Sequence, residues 1–140
     1  MPPRPEVKAL LLCDMVIRDQ GSNKWSAIGI FDNINVLRLP AVQPTLGIYV
    51  KLADAHGQYE LTIAIRHVES QELVAKIEGI RVDVRDRTRA ADFGFMSHQL
   101  VLSRLGPYDI ELWLNKELCQ TATFTVQQMA PPAPPPVAEE

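Results

Sequence analysis

The stretch that decides the fold is Gly106-Pro107-Tyr108-Asp109-Ile110-Glu111-Leu112-Trp113-Leu114-Asn115-Lys116-Glu117-Leu118-Cys119-Gln120-Thr121-Ala122-Thr123-Phe124-Thr125-Val126. Gly106-Pro107 opens it as a turn. Tyr108, Ile110, Leu112 and Leu114 then alternate with Asp109, Glu111 and Trp113, the period of two expected of a strand with one face buried. Beyond Asn115-Lys116-Glu117 the alternation resumes, with Leu118, Ala122, Phe124 and Val126 on one side and Thr121, Thr123 and Thr125 on the other. Slipping such a pair by one residue moves every side chain to the other face. A two-residue loop sets Ile110 opposite Thr121, whereas a three-residue loop sets Leu114 with Leu118, Ile110 with Ala122 and Tyr108 with Phe124. The apolar sides match in the second register, which predicts a hairpin with loop 115–117.

Working outward, Leu46, Ile48, Val50 and Leu52 alternate with Gly47, Tyr49 and Lys51. After the turn Asp54-Ala55-His56-Gly57, Tyr59, Leu61, Ile63 and Ile65 alternate with Glu60, Thr62, Ala64 and Arg66. These runs predict a second hairpin. Leu73-Ala75-Ile77 and Ile80-Val82-Val84 are out of phase by one residue, which a β-bulge at Gly79 reconciles. Phe93, Phe95, Met96, Leu100, Leu102 and Leu105 form another two-phase strand, or one broken near Ser97-His98. Nearer the N-terminus, Val7 to Met15 is almost continuously apolar, as in a strand covered on both faces or one changing sides of a two-layer fold. Lys24 to Val36 is a further apolar element, and Gly29 within it signals a bulge or a close backbone approach.

No long window keeps a helical period. About eight short strands separated by turn signals predict an all-β protein with little or no helix, a two-layer antiparallel Greek-key sandwich of Ig-like or C2-like type. A barrel is the alternative. Residues 1–6, with three prolines, read as an extended lead-in, 7–127 as the sandwich domain and 128–140 as a disordered proline-rich tail.

A chain of 140 residues is one domain by length, able to bury roughly two-thirds of its unfolded surface without metals or bridges. A net charge of −3 gives no general attraction to nucleic acid or anionic membrane. The N-terminus lacks an apolar core of signal-peptide length, and Ala9 to Cys13 is far too short to span a bilayer, so a cytoplasmic location is expected. Cys13 and Cys119 then read as two thiols in a reducing compartment, with a disulfide open only to an exported protein.

Candidate chemistry is sparse. A thiol nucleophile needs a histidine in reach. Cys13 lies in an apolar run, and Cys119 falls on the face of Trp113, so both read as packing residues. Asp14, Asp32, Asp54 and the histidines His56, His67 and His98 show no ligand spacing, and no metal or cofactor is implied. Arg81, Arg85, Arg87 and Arg89 precede Phe93 and Phe95, the pairing of basic and aromatic residues that single-strand binders use. Asp83, Asp86 and Asp92 are interleaved with them, which favours a mixed-charge strand edge and makes nucleic acid an unexpected partner. Trp113 points to the polar side of its strand, where it either anchors a partner or is covered by its neighbours. The segment Pro131-Pro132-Ala133-Pro134-Pro135-Pro136 reads as a linker sooner than as a ligand for an aromatic groove.

Leu12-Cys13-Asp14, Lys24, Gly29-Ile30-Phe31-Asp32, Gly57-Gln58-Tyr59-Glu60-Leu61 and the closing hairpin together resemble an uncharacterised bacterial family of small single-domain proteins, over about residues 7–127. The resemblance implies a cytoplasmic β-sandwich with no assigned activity and no catalytic residue. The function expected is that of a non-enzymatic interaction or scaffold module using a sheet face around Trp113 or an open strand edge. Its partner is expected to be a protein, with self-association through a strand edge as an option and no role at membranes. The alternative is a small-ligand or enzymatic site near Asp14 and Asp32. A third reading is weak nucleic-acid binding through Arg81, Arg85, Arg87 and Arg89.

Overall fold

Alternating side chains favour extended chain, and the computed structural model, which describes residues 4–130, contains nine strands and no helix among those residues. They are β1 (Glu6–Arg18), β2 (Trp25–Ile30), β3 (Asn33–Val36), β4 (Ala41–Ala53), β5 (Gly57–His67), β6 (Leu73–Val84), β7 (Ala91–Leu102), β8 (Gly106–Leu114) and β9 (Glu117–Gln128). One sheet has the order β2-β1-β4-β7 and the other β3-β9-β8-β5-β6, so the hairpin expected of β4 and β5 does not form: the turn between them crosses from one sheet to the other, and the two strands meet across the core. The proline-rich segment at 131–140 lies outside the described residues.

The all-antiparallel expectation is corrected at one place: β3 runs parallel to β9, with Ile34 beside Val126. The cause is a change of sheet within the segment read as one element over 24–36. The Phe31 N–H donates to the Leu12 carbonyl at 3.1 Å on the first sheet, and the Asp32 carbonyl accepts from the Thr125 N–H at 2.9 Å on the second. A single peptide step thus carries the chain between layers, which makes nine strands of about eight.

The deciding hairpin keeps its expected side-chain pairing, Ile110 with Ala122 and Tyr108 with Phe124, by a different route. Its loop is two residues long, not three: Leu114 pairs with Glu117, and Asn115 and Lys116 take φ of 50° and 66°. Those left-handed values match a tight turn to the twist of its strands. A register shift between Leu112 and Trp113 then restores the phase, leaving Cys119 as the extra residue of a bulge. The bulge expected at Gly79 is present, with Leu61 paired to Ile80, Ile63 to Ile77, and Gly79 at φ 77°. The two phases of β7 have a third origin. The ladder with β4 is continuous, Thr45 pairing His98 and Gln43 pairing Leu100, and Gln99 at φ 55° turns the apolar side over between them.

Leu46, Ile48, Val50 and Leu52 of β4 meet Leu61, Ile63 and Ile65 of β5 and Ile110, Leu112 and Leu114 of β8 in one buried core. Each such side chain contributes about 1.5–3 kcal/mol when fully removed from water. Tyr108 stacks on Phe124 with ring centroids 5.2 Å apart. Its hydroxyl donates to the Arg104 carbonyl at 2.7 Å and accepts the Arg104 N–H at 3.3 Å. A tyrosine at the start of a strand bonding back to the corner before it is the tyrosine corner of immunoglobulin-like sandwiches. Two residues on, where antibody domains place a bridging cysteine, the chain has the buried Ile110. His67, one of the three histidines without ligand spacing, is a buried clasp beside this corner. Its Nε2 lies 2.8 Å from the Leu105 carbonyl, which only accepts, so Nε2–H donates while Nδ1 takes the Ser70 N–H at 3.1 Å.

A second, smaller cluster lies outside this core. β1 pairs with β4 only as far as Cys13 and Gly47, and from there β1 and β2 continue as a two-stranded ribbon. A Cβ on Gly47 would come within 2.8 Å of Cys13 Sγ and 3.0 Å of the Val16 nitrogen, and the Val16 N–H points at Met96 Sδ 3.5 Å away. The Trp25 ring lies on Gly94, close enough to exclude a Cβ there. The ribbon therefore folds over the outer side of β4 and β7, on small residues that let it approach.

Tyr108→Phe is expected to lower stability by about 1–2 kcal/mol, because it leaves the Arg104 backbone groups without their partner. A urea midpoint equal to that of the wild type would remove the corner from the account. Gly94→Ala pushes the Trp25 ring off its seat and is expected to lose about 1–3 kcal/mol together with a change in tryptophan fluorescence. Unchanged emission would show that the ring does not rest there.

Candidate functional site

Outward-facing side chains on the five-stranded sheet fall into rows fixed by register. Thr62 of β5 lies opposite Trp113 of β8, which in turn faces Leu118 of β9. The next row is Lys76, Ala64, Glu111 and Thr121, and beyond it Arg66 faces Asp109, which accepts from the Thr123 hydroxyl at 2.7 Å. Because Thr62 and Ala64 are small while Trp113, Arg66 and Lys76 are long, β5 becomes the floor of a shallow groove of about 250 Å³ that Lys116 closes at one end. Trp113 is half-buried, its indole N–H donating to Glu111 Oε1 at 3.2 Å. Arg66 pairs with the same glutamate at 3.4 Å and Lys76 with Glu78 at 3.1 Å. The hairpin tip beside it is fixed to β5, as Asn115 exchanges two bonds with the Glu60 backbone at 2.8 and 2.9 Å.

The arginine run is resolved residue by residue. Arg81 on β6 faces Glu60 across the ladder, Arg85 pairs with Asp83 at 3.4 Å and Arg89 with Asp86 at 3.6 Å. Arg87 forms a two-pronged contact with Asp54 at 2.6 and 3.4 Å. The Arg87 hydrogen bond and charge hold the Asp54 carboxyl below its ordinary range, while bonds from the Thr88 hydroxyl and N–H do the same for Asp86. These shifts have local structural causes and belong to solvated pairs.

Asp14 and Asp32 are both exposed and have different neighbours. Asp14 lies under Gly29, whose φ of 71° and missing Cβ make room for the carboxylate. It lines an open depression of about 300 Å³ with Asn33, Asn35 and Gln43, which Asp32 does not line. Asp32 accepts from the Asn33 side-chain amide at 3.0 Å. Both cysteines are free. Cys13 donates to the Met15 carbonyl at 3.3 Å, and burial pushes its thiol above the ordinary range, the direction opposite to that of an activated nucleophile. Cys119 donates to the Glu117 carbonyl at 3.4 Å.

One surface escaped the reading of the sequence. On the ribbon, Met15, Ile17, Ile28 and Ile30 are all exposed. Their alternation with Val16 and Ala27 was visible, but in the sequence an apolar strand facing water is indistinguishable from one facing the core.

Two facing sheets and a tyrosine corner define an immunoglobulin-like β-sandwich. The chain belongs to the family of unknown function DUF6941, matching it over residues 8–127. A comparison with curated proteins gives no match. Among solved structures, the chain is similar to the alkylpurine DNA glycosylase AlkC of Pseudomonas fluorescens bound to DNA, at 11% identity and a TM-score of 0.57, covering 88% of this chain. An immunoglobulin-like protein from Pseudomonas aeruginosa matches 89% of this chain and 98% of its own at 10% identity and a TM-score of 0.44. A β-glucosidase from Listeria innocua matches 88% of this chain at 11% identity and a TM-score of 0.46. The chain spans 30% of the glycosylase and 16% of the glucosidase, and at these identities the likeness is one of fold alone. No helix among the described residues is long and apolar enough to cross a membrane.

Tyr49, on the outer side of β4, donates to Asp92 Oδ2 at 2.8 Å. Burial, then this hydrogen bond and the carboxylate charge, push its hydroxyl up to about 12. A raised folded value means that the protonated form is stabilised below the ordinary tyrosine range and that this contribution is lost as pH climbs to about 12. An alkaline titration of tyrosinate absorbance is expected to show a late step that Tyr49→Phe abolishes and Asp92→Asn moves to lower pH. A late step unaffected by Asp92→Asn would assign the shift to burial alone.

Proposed function

We propose that the chain is a non-enzymatic interaction module that docks an extended, acidic segment of a protein partner on the outer face of its five-stranded sheet. The observation that carries this reading is Trp113, a large aromatic on the solvent side of a sheet, beside a groove with a floor of small residues and a basic rim. Tryptophan is among the residues most enriched where interfaces concentrate their energy. Arg66 and Lys76 already hold carboxylates, while Lys116 has no ion pair among the described residues and meets the incoming one. Two free thiols are in keeping with a reducing, cytoplasmic compartment.

DNA, bound by the glycosylase of similar fold, is the less supported partner. Asp83, Asp54 and Asp86 already neutralise Arg85, Arg87 and Arg89, which leaves few cations to displace the counterions of a phosphate backbone. A ligand site at Asp14 has the support of an open, amide-lined depression only.

Selection from a displayed library of random peptides is expected to enrich acidic sequences. Calorimetry on the selected peptides is expected to show a loss of about tenfold or more with Trp113→Ala and a smaller loss with Lys116→Glu. Both positions are on the surface, and an unchanged thermal midpoint would separate loss of binding from loss of fold. Selected peptides that bind Trp113→Ala as tightly as the wild type would end this assignment.

A further inference from the structure

β2 is an outer strand of its sheet, hydrogen-bonded to β1 on one side only. The ribbon they form turns Val16, Ala27 and Trp25 toward β4 and β7, so its other side presents Met15, Ile17, Ile28 and Ile30, exposed by 44, 43, 50 and 61%. Met15 and Ile28 are direct cross-strand neighbours, with Ile17 and Ile30 two residues to either side. Outer strands of monomeric proteins are commonly guarded by lysine, proline or an inward-pointing charge. Trp25-Ser26-Ala27-Ile28-Gly29-Ile30 contains none of these. The charges sit at its two ends and are opposite in sign. Lys24 precedes the strand and Asp32 follows it; both are exposed, and neither forms an ion pair among the described residues.

We propose that the chain forms a two-fold dimer in which β2 of one copy lies antiparallel beside β2 of a second copy, with Ile28 at the axis. Two-fold symmetry makes such an interface self-complementary, each contact occurring twice. With Ile28 at the axis, Ser26 meets Ile30 of the second copy, and at both ends the long Lys24 side chain extends toward Asp32 of the second copy, the first residue past the step that carries the chain to the other sheet. Centring the pair on Ala27 sets Lys24 against Ile30, and centring it on Gly29 sets Asp32 against Ser26, so both ion pairs form in the first register alone. The apolar sides of the two ribbons then merge into one face. Gly29, at φ 71°, kinks each edge one residue from the axis, so the register follows from side chains and charges and not from an even ladder. Each copy contributes one six-residue strand, so the dimer is expected to be weak and concentration-dependent. This surface lies on the sheet opposite the Trp113 groove and does not depend on the function proposed above.

Sedimentation equilibrium of the full chain across a wide concentration range is the test. The wild-type mass is expected to climb from 15.7 kDa toward that of a dimer. Lys24→Glu and Asp32→Lys are each expected to raise the dissociation constant by about tenfold or more, since each places like charges together at both ends. An equimolar mixture of the two variants is expected to recover the dimer, because the reversed charges attract in the mixed pair. Ile28→Lys, which puts two ammonium groups at the axis, is expected to remain monomeric. A wild type that stays monomeric throughout overturns the dimer. Single variants that associate as well as the wild type, or a mixture that stays as weak as its components, overturn this register. Circular dichroism identical to the wild type in each variant confirms that association and not folding was changed.

Discussion

The constraint on which the rest of this structure depends is the reversal of side-chain direction at each step along a strand. Strands of twelve and thirteen residues outrun any apolar pattern of strict period two, so the chain must change phase inside them without leaving the sheet. It does so by local left-handed backbone or by an inserted residue. Gly79 absorbs one extra residue in β6, Cys119 does so in β9, and Gln99 turns over the apolar side of β7 with no insertion at all. Each device keeps apolar side chains between the sheets, Ile80 and Val82 on β6, Phe124 and Val126 on β9, Leu100 and Leu102 on β7, where a misdirected one would forfeit about 1.5–3 kcal/mol.

The same constraint decides what could be read from the sequence. Ile110 opposite Ala122 and Tyr108 opposite Phe124 were legible because two alternating runs must match sides. The loop was misread as three residues because counting back from the matched pairs cannot tell a longer loop from a two-residue turn followed by a bulge. Gly79 announced its bulge because glycine is the residue that takes positive φ freely, and Gln99 did not because little distinguishes a glutamine at 55° from one in a regular strand. The sheet change at Phe31-Asp32 was hidden for a related reason: both halves of the segment are apolar, and the hydrogen bonds that separate them go to Leu12 and Thr125, distant in the sequence.

Of the candidate surfaces, the Trp113 position was legible as outward-facing and its groove was not. A groove on a sheet arises from contrast between rows, and the short side chains of Thr62 and Ala64 acquire meaning only when β8 and β6 are placed beside them. The arginine run shows the reverse. Four cations in nine residues looked like a charged surface, but Arg87 finds its partner Asp54 across a loop, and Asp83 and Asp86 take its neighbours. Local composition overstated the field because it omitted a carboxylate brought in by the β4–β5 turn.

The two surfaces that remain open lie on different sheets, and this separation has a mechanical consequence. Pairing at the β2 edge uses the first sheet and leaves the outer face of β5, β8 and β9 uncovered in both copies. The dimer proposed above would present one Trp113 groove on each copy. A partner carrying two acidic segments would then bind the second intramolecularly, at an effective concentration set by the spacer between them and not by the bulk solution. Affinity would depend on that spacer as much as on the groove, which is how a shallow site of about 250 Å³ can serve recognition without depth.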